Sequence, residues 1–197
     1  MALDYSQLYS PDPSQEYATV AATLAADLSP CWLDEYYTMC THTPNILHFE
    51  VDGFAHLFDL SSDPSASTVA AQTDDRLVAV FGYSQPPVAA RDASRMRGFL
   101  GGGLMAADGD AVDKGHFIGH FLGGGTDVNL FPQRSELNRG WSDPGKVFRS
   151  MERAAAARPG TFVFARPLYT DGTWHPTSLE YGLLTADLRL WVERFSN

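Results

Sequence analysis

The stretch DKGHFIGHFLGGGTDVNLFPQRSELNRGW, residues 113–141, is the part of the chain around which the rest of the sequence is organised. It combines histidine, a run of glycines, two asparagines nine residues apart and a tryptophan. Apolar residues become sparse after Leu122, so little of the stretch has the composition of a hydrophobic core. Its polar residues are of the kinds that position water, metal ions and phosphate groups. We therefore expect a functional site here, with the remaining sequence as its scaffold.

The bulk composition is that of an ordinary globular protein. The chain has 197 residues, of which 44% are hydrophobic and 19% charged, which fits one domain. No apolar run is long enough to span a membrane, and the first residues lack the basic and apolar regions of a secretory signal. We expect a protein that is cytoplasmic, or exported without a cleaved signal peptide. The two cysteines, Cys31 and Cys40, form no CxxC pair, so we expect reduced thiols and no zinc site built on them.

The formal net charge of −10 is distributed unevenly along the chain. Residues 1–75 contain 12 of the 24 acidic residues and no Lys or Arg, whereas residues 76–197 contain all 14 basic residues. One interpretation is an acidic, solvated flank that keeps the protein soluble. The other is an acidic region that packs near a basic groove and screens it.

Before the central stretch, the pattern predicts a helix, a hairpin and a strand. Asp12 and Pro13 suit the start of a helix over residues 13–28, which Ser29-Pro30 would end. Asp52-Gly53 between two apolar runs predicts a hairpin, in which His48 and His56 would roughly face each other. The other predicted segments are irregular sequence at 31–45, a loop at 61–75, a strand at 76–83 and a glycine-containing loop at 88–112.

After the central stretch, we predict two more helices and two more strands. They are a helix from Asp143-Pro144 to about residue 157, a strand at 161–169, a strand at 178–184 and a helix at 186–195. Pro167 predicts that this part of the strand at 161–169 lies at an edge or a bulge. The order of elements indicates an α+β fold with a mainly antiparallel sheet.

The residues of the central stretch suit phosphodiester chemistry. His116 can take a proton from water near neutral pH, and Asn138 offers a neutral oxygen to a hard cation such as Mg²⁺. Arg134 and Arg139 can hold phosphate oxygens, and Lys114 adds a cation beside the histidine. A base, a weakly held metal and arginines are together the groups that hydrolyse a phosphodiester.

Three motifs in this stretch carry a resemblance to a known family. DKGH at 113–116, NLFPQ at 129–133 and LNRG at 137–140 resemble the motifs of the DNA/RNA non-specific endonucleases of the ββα-metal, or His-Me finger, group, and most closely their bacterial toxin-type branch. The resemblance covers about 110–184. It implies a ββα-metal finger with flanking helices, within a nuclease core over residues 76–197. Residues 1–75 have no part in the resemblance, and we expect them to form an acidic region of helix plus hairpin packed on that core.

The resemblance also implies a role for each matching residue. His116 would be the general base, Asn138 the direct ligand of Mg²⁺ or Mn²⁺, and Asn129 the support of the histidine loop. Glu152 would match the family's helix glutamate, which holds metal-bound water. Lys114 stands where the family has arginine, and Arg139 would contribute to the catalytic site through phosphate. The implied activity is a metal-dependent non-specific endonuclease whose partners are DNA or RNA and an inhibitor or immunity protein, with no membrane.

Two departures from the family pattern leave an alternative open. Lys114 keeps the charge of the family's arginine but loses bidentate contact with phosphate. Glu152 is fourteen residues past Asn138, where the family has eight, and Pro144 interrupts the intervening helix. With a pI of about 4.8, these features fit a catalytically weak or inactive nuclease fold that acts as a binding or regulatory module.

Two neighbouring residues have simpler interpretations. His116 and His120 are spaced like a helical zinc pair, but the glycines between 115 and 125 disfavour a helix. We expect His120 to be a packed or loop histidine and Trp141 to be an anchor beneath the site, not a base-stacking platform.

Overall fold

A computed structural model of the protein describes residues 3–60, 74–87 and 111–197. Most of the predicted loops at 61–75 and 88–112 lies outside the described residues. Within the described part, six strands form one antiparallel sheet in the order β1-β2-β3-β6-β7-β8, and two strands form a separate pair, β4-β5. The strands are β1 Ile46–Val51, β2 Phe54–Asp59, β3 Arg76–Tyr83, β4 Val112–His116, β5 Leu130–Arg134, β6 Phe162–Leu168, β7 Ser178–Leu184 and β8 Leu190–Ser196.

The helices are few and unequal in length. They are α1 Tyr5–Leu8, α2 Tyr17–Met39, α3 Ser135–Asn138 and α4 Asp143–Ala157, with 3₁₀ turns at His120–Leu122 and Asp127–Asn129. The predicted α+β class with a mainly antiparallel sheet is therefore confirmed. Among the described residues, no helix has the length and apolar character that crossing a bilayer requires.

The large sheet lies between two layers, and its side chains alternate between them. In β6, Phe162 and Phe164 join the core formed with α2, while Val163 and Ala165 join the core formed with α4 and the β4-β5 pair. Every residue of β6 and β7 is buried, as expected for strands covered on both faces. The layer that holds residues 113–141 thus packs on one face of the sheet and α2 on the other.

The predicted hairpin is present, but its two histidines do not face each other. Asp52 and Gly53 form the two-residue turn with positive φ angles of 53° and 79°. His56 is opposite Phe49, and the two rings stack at a centroid distance of 5.3 Å. His48 pairs with Leu57, because a two-residue turn fixes a register one position away from the one expected.

Helix α2 differs from the predicted helix at both ends. It begins at Tyr17 and continues through Pro30 to Met39, whereas the prediction was 13–28 followed by irregular sequence. Asp12 caps a separate turn before the helix, where its Oδ1 accepts a hydrogen bond from the backbone N–H of Ser14. Proline costs the helix one backbone hydrogen bond. Burial of Trp32 and Tyr36 beyond the proline offsets this loss, since both pack in the core against the sheet.

A buried ion network joins α1, α2, β6 and β7. Arg166, which is 1% exposed, donates hydrogen bonds to Glu35 at 2.6 Å and to Glu180 at 2.9 Å. The hydroxyl of Tyr5 donates to Glu180 at 2.7 Å, and the indole of Trp32 donates to Tyr5 at 3.1 Å. Because each buried charge has a partner of opposite sign, the network fixes how α2 lies on the sheet.

The C-terminal helix predicted at 186–195 is wrong. A turn in which the N–H of Thr185 donates to the carbonyl of Arg189 leads into β8, which pairs antiparallel with β7. Leu188 has a positive φ angle of 60°, which ends any helical path there. The apolar residues of so short a segment satisfy helix and strand spacing equally well, so pairing with β7 decides the outcome.

Pro167 lies in β6, which is an inner strand, but the part of β6 around Pro167 pairs only with β7 among the described residues, as at the predicted edge. Pro167 is opposite Leu179 of β7. Pairing between β6 and β3 extends only over Phe162–Ala165 of β6. Pro167 lies beyond these pairs, so its missing N–H interrupts none of them.

We expect replacement of Trp32 by Ala to lower the free energy of unfolding by about 3–5 kcal/mol, because it removes a fully buried ring beyond the proline of α2. The matched control is Tyr37→Ala, which removes an aromatic ring that is 47% exposed on the same helix. Urea unfolding of both variants measures the difference. Equal losses in the two variants would contradict the continuation of α2 against the sheet.

Candidate active site

Strands β4 and β5 pair two parts of the central stretch with each other. They pair antiparallel, with His116 opposite Leu130 and Lys114 opposite Pro132. The chain then enters α3, which follows β5 directly and carries Asn138 as its last residue. Two strands are thus followed by a helix. The predicted base, His116, lies at the end of β4, and the predicted metal ligand, Asn138, lies at the end of α3.

The side chain of Asn129 closes the loop between these strands. Its Oδ1 accepts a hydrogen bond from the N–H of Ile118 at 2.9 Å, and its Nδ2 donates to the carbonyls of Ile118 at 2.8 Å and Gly125 at 2.9 Å. A side chain at Gly124 would collide with the Ile118 carbonyl, so this close approach requires glycine. Asn129 is buried and lies beneath the loop that follows His116.

Asp113 connects α3 to the strand that carries His116. Its carboxylate accepts two hydrogen bonds from Arg139, from Nε at 2.7 Å and from Nη2 at 2.6 Å, and a third from Asn138 Nδ2 at 3.2 Å. The Arg139 guanidinium holds the pKa of the Asp113 carboxyl below its ordinary value. The amide of Asn138 is thereby oriented through its nitrogen, which leaves Oδ1 as the atom that can ligate a cation.

The break between α3 and α4 does not remove Glu152 from the site. Ser142 caps α4, with its hydroxyl accepting a hydrogen bond from the N–H of Gly145 at 3.1 Å. Gly145 packs closely against the backbone of α3, since a Cβ at this position would collide with the carbonyl oxygens of Glu136 and Leu137. The restarted helix therefore folds back along α3 and carries Glu152 into the same cavity as Asn138.

One cavity of about 490 Å³ collects most of the predicted site residues. Its lining residues are His116, Gly119, His120, Phe121, Gln133, Asn138, Arg139, Trp141, Phe148, Arg149 and Glu152. Of the residues predicted to act directly, it brings together His116, Asn138, Arg139 and Glu152.

Three of the predicted residues, Lys114, Asn129 and Arg134, are not among the lining residues. Lys114 lies on β4 outside this lining, and Arg134 lies at the end of β5. His120 lines the cavity from a 3₁₀ turn, so the helical zinc pair with His116 does not form. Trp141 is 65% exposed, and the prediction of a buried anchor is therefore wrong. Its exposure follows from its place in the turn between α3 and α4.

Glu152 is the most strongly perturbed acid of the cavity. Burial raises the pKa of its carboxyl from an ordinary value of 4.5 to about 7, against the opposing effect of Arg149 and Arg153. Of the two arginines on α4, Arg149 lines the cavity and Arg153 does not. Arg149 is three residues before Glu152 and so lies on the same face of α4.

Gln133 is the residue whose importance the sequence understated. It is fully buried at 0% exposure, lines the cavity, and neither atom of its amide has a hydrogen-bond partner among the described residues. Gln133 is the last residue of the NLFPQ motif, but only its burial in the structure shows that its amide needs a ligand. Leaving such a group unsatisfied costs about 1–3 kcal/mol, so a bound water, cation or substrate oxygen is the natural partner.

The donor set of the cavity fits a hard divalent cation. Asn138 offers an amide oxygen, Glu152 a carboxylate and Gln133 an amide that has no hydrogen-bond partner within residues 3–60, 74–87 and 111–197. Oxygen ligands with few protein contacts suit Mg²⁺, which retains most of its waters, and Mn²⁺ accepts the same ligands.

A second group of ligand types occurs far from this cavity in sequence. The ligand atoms of Cys40, His42 and Asp59 lie within 4.8 Å of one another and could hold a metal ion. Asp59 already accepts hydrogen bonds from Tyr36 Oη at 2.6 Å and from His42 Nε2 at 2.7 Å, which suit a purely structural network as well. Both cysteines are free thiols, and burial raises the pKa of Cys40. The absence of a zinc site on the cysteines stays a prediction.

No protein-family model matches this chain, and no curated protein matches it either.

The titration of Glu152 predicts a pH-dependent stability. Its pKa is higher in the folded protein than in the unfolded chain, so the folded state keeps the proton to higher pH. In the presence of a chelator, the free energy of unfolding should fall as pH rises from about 4.5 through about 7. The decrease should be at most about 3–4 kcal/mol, since one pH unit of pKa difference is worth about 1.4 kcal/mol.

Glu152→Gln should lack this decrease and be more stable than wild type at pH 8. The control is Glu136→Gln, at an exposed carboxyl on α3. Denaturant unfolding at a series of pH values measures the effect, and a Glu152→Gln profile parallel to wild type would contradict the buried, protonated carboxyl.

Proposed function

We propose that the protein is a metal-dependent, non-specific endonuclease that hydrolyses phosphodiester bonds of DNA, RNA or both. The observation that carries the proposal is the convergence of His116, Asn138 and Glu152 on one cavity, with the unsatisfied amide of Gln133. A base, a neutral oxygen ligand and a carboxylate are what metal-assisted phosphodiester hydrolysis requires. We further propose that β4, β5 and the helices after them constitute a ββα-metal finger.

In this proposal His116 takes the proton of the attacking water. The ring lies at the end of β4, and the loop that follows it is held by Asn129, so its position is set before substrate binds. Asn129 is then a positioning residue, which agrees with the support role that the family resemblance implies.

Asn138, Glu152 and Gln133 would hold the cation. When bound, a divalent cation neutralises charge that develops on the phosphate and the leaving oxygen. Asp113 supports this set indirectly, since it fixes Asn138 from β4. Because the pKa of Glu152 is about 7, its carboxyl loses its proton as the pH rises through that value. We therefore expect cation binding to strengthen over the same pH range.

Two arginines supply positive charge for the phosphodiester. Arg139 uses Nε and Nη2 on Asp113, so Nη1 is the part of its guanidinium left for phosphate. Arg149 donates from Nη1 to the backbone carbonyl of Arg139 at 2.9 Å, which places the Arg149 guanidinium beside the backbone at the end of α3. Contacts to phosphate carry no base information, which suits an enzyme with little sequence preference.

We expect the purified chain to degrade plasmid DNA or RNA with Mg²⁺ or Mn²⁺, and chelation to stop the reaction. His116→Ala should lower the cleavage rate by about 10²–10⁴-fold, because it removes the general base. His48→Ala, at an exposed position in β1, is the matched control and should cut at the wild-type rate. Gel assays of nicking and linearisation measure both.

Cleavage by His116→Ala at the wild-type rate would contradict the proposal. If wild type cuts neither substrate but forms a stable complex with another protein, the alternative of a non-enzymatic binding module is favoured. The acidic pI of about 4.8 is the observation that supports this second function.

A further inference from the structure

Two large aromatic side chains lie exposed at the edge of the proposed active-site cavity. Trp141 is 65% exposed and Phe121 is 45% exposed, and both line the cavity together with His116. Trp141 is the most exposed of the large hydrophobic residues in the described part of the chain. Exposed aromatic rings beside a polar, cation-lined cavity are unfavourable in water and are typical of a binding surface.

The Trp141 ring is ordered before any ligand arrives. The guanidinium carbon of Arg139 lies 4.7 Å from the ring centroid, and Asp113 holds that guanidinium through two hydrogen bonds. The backbone N–H of Trp141 donates to the carbonyl of Glu136 at 2.9 Å, which fixes the turn that carries the ring. An ordered ring loses little entropy on binding, so its contact area converts efficiently into affinity.

Phe121 extends from the opposite part of the central stretch. It lies in the 3₁₀ turn His120–Leu122, within the loop that Asn129 holds at Ile118 and Gly125. The two rings therefore come from two separate segments of the central stretch, each held by its own hydrogen bonds, and both line the cavity of the residues proposed to act on the phosphodiester.

We propose that Phe121 and Trp141 form a stacking platform for unpaired nucleobases, which makes single-stranded nucleic acid the preferred substrate of this site. The proposal rests on the proposed nuclease function. Bases within a duplex already stack on one another and expose only their edges, whereas unpaired bases offer their faces to aromatic rings. The arginines beside the rings provide the charge that the flanking phosphates need.

The test uses the full chain and three labelled substrates: a single-stranded oligonucleotide, its duplex, and a single strand of equal length with abasic sites around the cleaved bond. Wild type should cut the base-containing single strand with the lowest KM. Trp141→Ala and Phe121→Ala should each raise that KM roughly tenfold, with little change in kcat or in duplex cleavage, as expected for loss of one stacked base. Trp141→Phe should restore most of the affinity.

Tyr37→Ala removes an exposed aromatic ring from α2 and should leave all three KM values unchanged. Equal KM values for single strand and duplex in wild type, or an unchanged single-strand KM in both alanine variants, would overturn the stacking platform while leaving the nuclease proposal intact.

Binding is measured separately from hydrolysis, so that the two proposals fail independently. In chelator, fluorescence anisotropy of His116→Ala should show tighter binding of the base-containing strand than of the abasic strand. Adding Trp141→Ala should reduce the difference, and adding Trp141→Ala together with Phe121→Ala should abolish it. If no variant cleaves but this difference is seen, the stacking surface stands and the nuclease proposal fails. If the two strands bind equally, the stacking surface is overturned.

Discussion

The site depends on a reciprocal contact between the Asn129 amide and the backbone of Ile118. The amide accepts from the N–H and donates to the carbonyl of the same residue, as a neighbouring strand would do. It thereby closes a loop of glycines that has little order of its own, and this loop joins the strand of the proposed base to the strand that leads to Asn138. Asp113 makes the second tie, from β4 to α3. With these two contacts, residues distant in sequence share one cavity on one face of the sheet.

Sequence reasoning recovered the parts of the fold that local chemistry determines. The Asp52-Gly53 hairpin and the helix after Asp143-Pro144 could be read from turn and cap residues alone. Long-range packing decided the elements that it missed. Burial of Trp32 carries α2 through Pro30, and pairing with β7 makes a strand of a segment whose apolar spacing also fits a helix.

The site was predictable to the extent that motifs specify it. His116, Asn138 and Glu152 do line one cavity, although nothing in the spacing showed that α4 would fold back along α3 after the proline. The role of Gln133 could not be predicted, since it follows from burial without a hydrogen-bond partner in the described structure. The exposure of Trp141 could not be predicted either, because the local sequence of a turn does not show whether the rest of the fold covers its side chains.

The layers also separate charge. The exposed acids Asp27 and Asp34 lie on α2, on the other face of the sheet from the cavity with its arginines, so α2 is poorly placed to screen that cavity.

The most direct measurement of the central claim is the broadening of histidine ring NMR signals by substoichiometric Mn²⁺. The account predicts that the signals of His116 and His120 broaden first, while that of His42, beside Cys40, stays sharp. Broadening of His42 alone, or of none of them, would contradict a cation site in the cavity.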